Sequence, residues 1–280
     1  MDRVILSRLP RMPPAEIIRS RSNPLVRRLR RLKEKSEGEL CLVEGPKLLR
    51  EALSAGVQIV EIAAGPGWEE AAGSQALLAD LRERGLPVRS LADEILASLS
   101  ETEASQGVLA LARRPFFDEG RLASPGEALV VVAVGIQNPG NLGGLLRSAE
   151  AAGATGAYLT EGTADPFSWK ALRGSMGSAF RLPHFRGGEA AGTLKHLRAQ
   201  GLQIVATVAD DGVPYTSARL DSPTALVFGS EGAGLPAGLL SRADIRVTIP
   251  LRPPVESLNV GVAAGILLFE AARQRQKEPR

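Results

Sequence analysis

The run ALVVVAVG at 128–135 contains no polar side chain. A strand with one wet face alternates apolar and polar residues. An unbroken apolar run needs cover on both faces, which a parallel sheet with helices above and below provides. Residues 155–160, 202–208, 224–228 and 244–249 read as further strands. Between and after them the pattern gives helices at 143–152, near 166–173, at 189–200, near 236–241 and at 257–275. Strand–helix alternation of this kind predicts a doubly wound, mostly parallel α/β sheet over 128–280. The last helix is apolar on all sides from Val260 to Phe269, so it is expected to meet both its own sheet and a second subunit.

Upstream, Leu25, Leu29 and Leu32 share one face of a helix otherwise covered by Arg and Lys. Strands are read at LCLVEGP, VQIVEIAA, LPVRSL and QGVLALARR, with helices at about 47–55, at WEEAAGSQALLADLRERG and at ADEILASLS. This predicts a smaller α/β domain over 24–113, a linker over 114–127 and a basic arm over 1–23. Charge is distributed unevenly. Residues 1–35 hold 11 Lys and Arg against 3 Asp and Glu, while the remainder carries a net charge of −5. A basic segment on a mildly acidic body fits a polyanionic partner. Arg27, Arg28, Arg30, Arg31, Arg113 and Arg114 are the candidate phosphate contacts. Aromatic residues make up only 4% of the chain, so stacking on bases is not the evident mode of contact if the polyanion is a nucleic acid.

Several classes are set aside. No apolar run reaches the length of a membrane span, and the N-terminus has no secretory pattern. One cysteine and two histidines exclude an internal disulfide and a Cys/His metal cluster, and the expectation is a cytoplasmic protein without a metal. Cys41 reads as a core residue. His184 and His196 read as surface or helix residues outside any motif.

Three polar, glycine-bearing segments follow predicted strands: GIQNPGNLGGLLR (135–147), VFGSEGAGLP (227–236) and IPLRPPVESLNVG (249–261). In parallel sheets, ligands bind beyond the carboxyl ends of strands, where these segments lie. They contain neither a dinucleotide fingerprint nor a phosphate loop nor a nucleophile elbow. The polar residues left are Asn141, Arg147, Glu231, Ser257 and Asn259, a set suited to positioning phosphates and hydroxyls rather than to covalent catalysis.

NPGNLGxxxRSA, then VFGSEGxGL, then IPL…ESLNVGVA resembles the three motifs of the SpoU (TrmH) family, RNA ribose 2′-O-methyltransferases of the SPOUT superfamily. The segment LVEGPKLLREAL is similar to their N-terminal substrate-binding domain, a fold akin to some ribosomal proteins. The resemblance implies a deep trefoil knot, a homodimer through the C-terminal domain and S-adenosylmethionine held mainly by backbone groups. Carried across, the cofactor contacts are Gly229, Ile249 and Leu258, with Thr207 near the adenosine. Arg147 corresponds to the catalytic arginine. Family proposals make it a base; a guanidinium keeps its proton, which favours a clamp on the substrate phosphate that also stabilises the developing alkoxide. Asn141 is expected to cap its helix or bond the hydroxyl, and Glu231 to orient the arginine or substrate. Ser257 and Asn259 precede the last helix, where Ser is an ordinary N-cap; the resemblance places the pair by the cofactor and reaction centre. The expected substrate is 23S ribosomal RNA. Transfer RNA, or a non-catalytic RNA- or ribosome-binding role on the same fold, are the alternatives.

Overall fold

The computed structural model describes residues 17–36, 38–100, 106–119 and 128–276. Most of the expected arm (1–16) and the second half of the expected linker (120–127) lie outside the described residues. The described end of the arm is docked: Ile18 donates to the Ser90 carbonyl and accepts from Ala92, alongside the smaller sheet.

In α1 (Pro24–Glu34) the Asn23 side chain accepts from the Leu25 amide, and Pro24 occupies a first-turn position that needs no N–H partner. Leu25, Val26, Leu29 and Leu32 are buried, so the predicted apolar face is the packed one. There follow β1 (Leu40–Glu44), α2 (Pro46–Ser54), β2 (Ile59–Ala64), α3 (Pro66–Glu70), α4 (Gln75–Glu83), β3 (Val88–Ser90), α5 (Asp93–Leu99) and β4 (Val108–Arg113). The sheet order is β1-β4-β2-β3, with β4 antiparallel to β1 and β2, and β3 parallel to β2. The single helix expected at 68–85 is broken into α3 and α4. Ala71 is extended (ψ 136°), and the Ser74 hydroxyl reaches the carbonyls of Trp68 and Ala71. Cys41 is a core residue, as expected; burial pushes its thiol up to about 12.

The larger sheet contains β5 (Leu129–Ala133), β6 (Gly156–Leu159), β7 (His184–Arg186), β8 (Gln203–Thr207), β9 (Val213–Pro214), β10 (Thr224–Phe228) and β11 (Ile245–Thr248). Its order is β7-β6-β5-β10-β8-β11-β9, and every neighbouring pair is parallel. The helices are α6 (Pro139–Ala151), α7 (Trp169–Ser175), α8 (Ser178–Arg181), α9 (Ala190–Ala199), α10 (Ala237–Leu240) and α11 (Val260–Arg275). All five residues of β5 and all five of β10 are buried, as the apolar runs require. Neither β7, β9 nor α8 was expected, because elements of two to four residues carry no readable period. Strand β10 enters between β5 and β8 although β6 to β9 intervene in sequence. This entry brings the segments after β5, β8, β10 and β11 to one edge of the sheet. The basic reading of Arg114 needs correction for the same packing reason that docks the two sheets' units. Its guanidinium sits 3.0 Å from Asp165 in the loop after β6, donates to Ser36, and is only 17% exposed.

Trp169, the first residue of α7, also joins the two units. It donates through Nε1 to Glu44 Oε2 (2.6 Å), while the Ser100 hydroxyl donates to Glu44 Oε1 (2.6 Å). The Arg173 guanidinium and the Lys33 ammonium flank its ring. Glu44 is buried, so Trp169→Phe removes a donor from a carboxyl group that water cannot reach. We expect a loss of about 2–3 kcal/mol, read as a lower midpoint in urea unfolding.

Candidate cofactor pocket and catalytic residues

Helix α6 starts at Asn138, whose side chain accepts from the Gly140 (2.8 Å) and Asn141 (3.2 Å) amides. Asn138 therefore caps this helix and Asn141 does not, because an oxygen one residue before the helical Pro139 is the one placed over the unsatisfied amides. The same correction applies to the last helix. Asn259 caps α11, accepting from the Gly261 (2.9 Å) and Val262 (3.4 Å) amides. Ser257 stands exposed two residues further out.

These caps settle what the other side-chain atoms do. With Oδ1 of Asn259 committed to backbone amides, its Nδ2 donates to Oδ1 of Asn141 (2.8 Å). Asn141 then turns its own Nδ2 to Glu231 Oε1. One chain of hydrogen bonds thus links the segments after β5, β10 and β11, and its direction follows from the α11 cap. The chain lies at the surface, with Glu231 and Asn259 exposed and Asn141 half-buried, so it ties the three segments together within reach of solvent.

Beside this chain lies a pocket at the carboxyl edge of the sheet. Thr207, Gly229, Ile249 and Leu258 all line it, with Glu231 and Ser257 on its wall. Its floor is apolar: Phe228, Val247, Val260, Ala263 and Leu267. The Thr207 hydroxyl donates to the Val227 carbonyl (2.9 Å), and that of Thr248 to the Ala209 carbonyl (2.6 Å), which tie the walls to each other. At Gly229 a Cβ would strike the main chain of Gly234, so the loop after β10 closes on itself there. At Gly212 a Cβ would lie 2.8 Å from the Thr248 amide nitrogen. Only glycine leaves main-chain groups uncovered at such approaches. An apolar floor beneath exposed peptide groups fits an adenosine held by its ring faces and ring-edge nitrogens. The floor residues Val260, Ala263 and Leu267 went unread in the sequence, although their spacing marks one face of α11. Asn138 was legible as well, from Asn preceding Pro at a helix start.

Arg147 lies outside this pocket, on the exposed side of α6. Among the described residues it makes no hydrogen bond or ion pair. It is not held by Glu231, whose described partner is Asn141. An exposed guanidinium without a partner is available to a substrate phosphate. Helix α6 is itself fixed by close contact with α7. A Cβ on Gly143 would fall 2.5 Å from the Ala171 carbonyl oxygen, and one on Gly174 2.9 Å from that of Gly140.

The basic residues divide into three groups. Arg27, Arg30 and Arg31 on α1 have no ion pair among the described residues. Arg28 pairs with Glu61 (2.7 Å) and Arg113 with Glu39 (2.6 Å), both in exposed pairs that exchange readily with solvent. Arg114 is committed to Asp165, as described above. His196 is exposed on α9, but His184 is buried on β7.

An all-parallel sheet with a main-chain-lined pocket at its carboxyl edge, joined to a smaller unit bearing a cationic helix, defines a ligand-binding α/β domain with an auxiliary polyanion-facing domain. The SpoU rRNA Methylase family model matches residues 128–269, and the MRM3-like substrate binding domain model matches residues 23–110. The chain belongs to the SpoU rRNA methylase family. It is 38% identical to an uncharacterized tRNA/rRNA methyltransferase of Synechocystis, over 92% of this chain and 94% of that protein. It is 35% identical to the 23S rRNA (guanosine(2553)-2′-O)-methyltransferase RlmP of Bacillus subtilis, over 87% and 92% respectively. A crystal structure of an RNA 2′-O ribose methyltransferase superposes with a TM-score of 0.82 at 34% identity, covering 93% of this chain and 99% of that one. The AdoMet-bound rRNA methyltransferase of Sinorhizobium meliloti does so with a TM-score of 0.77 at 32% identity, covering 92% and 97%.

Proposed function

We propose that this chain methylates a ribose 2′-hydroxyl in 23S ribosomal RNA, with S-adenosylmethionine as methyl donor. The observation that carries the reading is the convergence of Thr207, Gly229, Ile249 and Leu258 on one pocket that Glu231, the end of the Glu231–Asn141–Asn259 chain, also lines. When bound, the cofactor supplies a methyl group already activated on a sulfonium sulfur. A 2′-hydroxyl is a poor nucleophile until its proton leaves, so the protein's work is alignment and charge stabilisation. The pocket walls hold the adenosine. Arg147 clamps the substrate phosphate and stabilises negative charge growing on the 2′ oxygen. The asparagine–glutamate chain keeps the three segments in register while this happens. Arg27, Arg30 and Arg31 supply backbone phosphate contacts that fix the RNA without reading its sequence.

The active form is a homodimer, and the knotted arrangement implied by the family resemblance belongs to the same reading, supported by the entry of β10 between β5 and β8. Support for the dimer comes from α11, where the apolar Val262 and Phe269 lie seven residues apart and remain 52% and 53% exposed. Arg147 adjoins that face, since its neighbour Ser148 approaches Gly265 of α11 (3.6 Å to a Cβ placed there). Phe269→Glu should shift the protein to monomer in sedimentation velocity; an unchanged dimer would place the interface elsewhere.

The function is tested by methyl transfer from labelled S-adenosylmethionine to protein-free RNA and to ribosomal subunits, followed by mapping of 2′-O-methyl sites. One labelled position in 23S RNA is the expected result. Label confined to transfer RNA would replace the substrate and keep the enzyme. No label in any fraction, together with no cofactor binding, would leave a non-catalytic RNA-binding protein.

A further inference from the structure

The chain has few aromatic residues, eleven Phe, Trp and Tyr in all, yet five of them line one open pocket far from the cofactor site. These are Phe116, Phe117, Tyr158, Phe167 and Phe185, and both histidines of the chain join them. The pocket wraps the outer edge of the larger sheet at β7, between the segment following β4 and the first turns of α9. Phe117 and Phe167 pack on the His184 ring with centroids 4.9 and 5.1 Å away. Phe116 does not pack: it is 94% exposed. On the opposite side Gly187 and Gly192 face open space, with no atom within 4 Å of where a Cβ would stand. The pocket is therefore a slot with an aromatic wall and a side left unfilled.

One charged feature narrows what fits. The Arg186 guanidinium stands at the slot, 52% exposed and 3.9 Å from Asp165. The His184 ring stiffens the wall from behind: it donates through Nδ1 to the Leu182 carbonyl (2.9 Å), and its Nε2 is enclosed. A flat ligand with an anionic group attached matches the aromatic wall and the guanidinium together. An aliphatic side chain would leave Phe116 without a stacking partner and give Arg186 nothing to bind.

We propose that this slot takes an unstacked nucleobase of the RNA substrate, stacked on Phe116, with its phosphate against Arg186. The proposal rests on the RNA-directed reading above. Three strand spacings separate β7 from β10, about 15 Å, so the base belongs to a nucleotide a few positions from the methylated one. The slot then helps select the site by requiring a nucleotide that can swing out, the usual basis of sequence-specific RNA recognition.

Ultraviolet cross-linking of the full chain to protein-free 23S RNA, with the linked residues mapped by mass spectrometry, tests this directly. Cross-links on Phe116 or Phe117 are expected, and their absence while α1 cross-links would overturn the proposal. Two variants test it through function. Phe116→Ala, and Gly192→Trp, which fills the slot, should each raise KM for the RNA about tenfold, the scale of one lost base stack. Cofactor affinity should not change in either variant. Unchanged KM in both variants rejects the slot. If the effect appears with ribosomal particles but not with protein-free RNA, the slot receives a ribosomal protein and the nucleobase proposal falls. If the wild-type chain methylates no RNA at all, it is the proposed function that fails, and the cross-link map alone then decides whether the slot binds a base.

Discussion

Replacing Arg147 by alanine should lower kcat for methyl transfer by at least about a hundredfold, the scale of losing one preorganised charge at a developing oxyanion. S-Adenosylmethionine affinity should stay at the wild-type value, because Arg147 does not line the pocket proposed for the cofactor. The two readouts separate easily: initial rates with saturating RNA give the first, and calorimetric titration of the cofactor gives the second. Arg147→Lys tests the nature of the contact. A lysine keeps the charge but not the planar fork, so a phosphate clamp should be only partly restored. Full activity in Arg147→Ala would remove this residue from the mechanism.

The second large effect concerns two adjacent glycines that sequence alone treats alike. In α6, a Cβ on Gly143 meets the Ala171 carbonyl oxygen at 2.5 Å and the Ser175 nitrogen at 2.8 Å, both of them main-chain atoms. Neither can rotate away, so α6 and α7 must separate. Gly144 has open space at the same position. Helix propensity favours alanine over glycine by about 1 kcal/mol, so Gly144→Ala should stabilise by up to that amount. Gly143→Ala should instead destabilise by about 1–3 kcal/mol, as overpacking does. Opposite signs at neighbouring positions in the same helix, read from urea midpoints, would isolate the close contact as the cause. Gly143→Ala should also reduce kcat, since α6 carries both Asn141 and Arg147.

Most of the larger sheet was legible because its central strands β5, β6 and β10 are buried along their whole length, which gives β5 and β10 nearly continuous apolar runs. The same legibility extended to the site: the three glycine-bearing segments do meet, and they meet at the carboxyl edge. Their partners were harder to read. Asn141 and Ser257 looked like caps, but a cap is decided by which side chain stands over free amides, and an offset of two or three residues transfers the job to Asn259 or Asn138. Arg114 looked like an RNA contact because its partner Asp165 lies 51 positions away, beyond any local pattern. The aromatic slot was hidden for a similar reason. The Phe116–Phe117 pair, Tyr158, Phe167 and Phe185 lie far apart along the chain, and a low overall aromatic content says nothing about whether they gather in space.

The position of β10 has a consequence for how the molecule is made. On the ribosome, β5 emerges at residues 129–133, while its permanent neighbour arrives only at 224–228. Until then, one edge of β5 and both edges of β8 face outward with unpaired amides and carbonyls, since β11, the other neighbour of β8, arrives later still at 245–248; both strands are rich in Val and Ile. Such edges are templates for pairing with other chains, and contacts this remote in sequence form slowly. The nascent protein thus carries a three-stranded half-sheet and a lone strand awaiting one keystone strand. Aggregation during synthesis should depend more on what happens before residue 228 is released than on the stability of the finished enzyme.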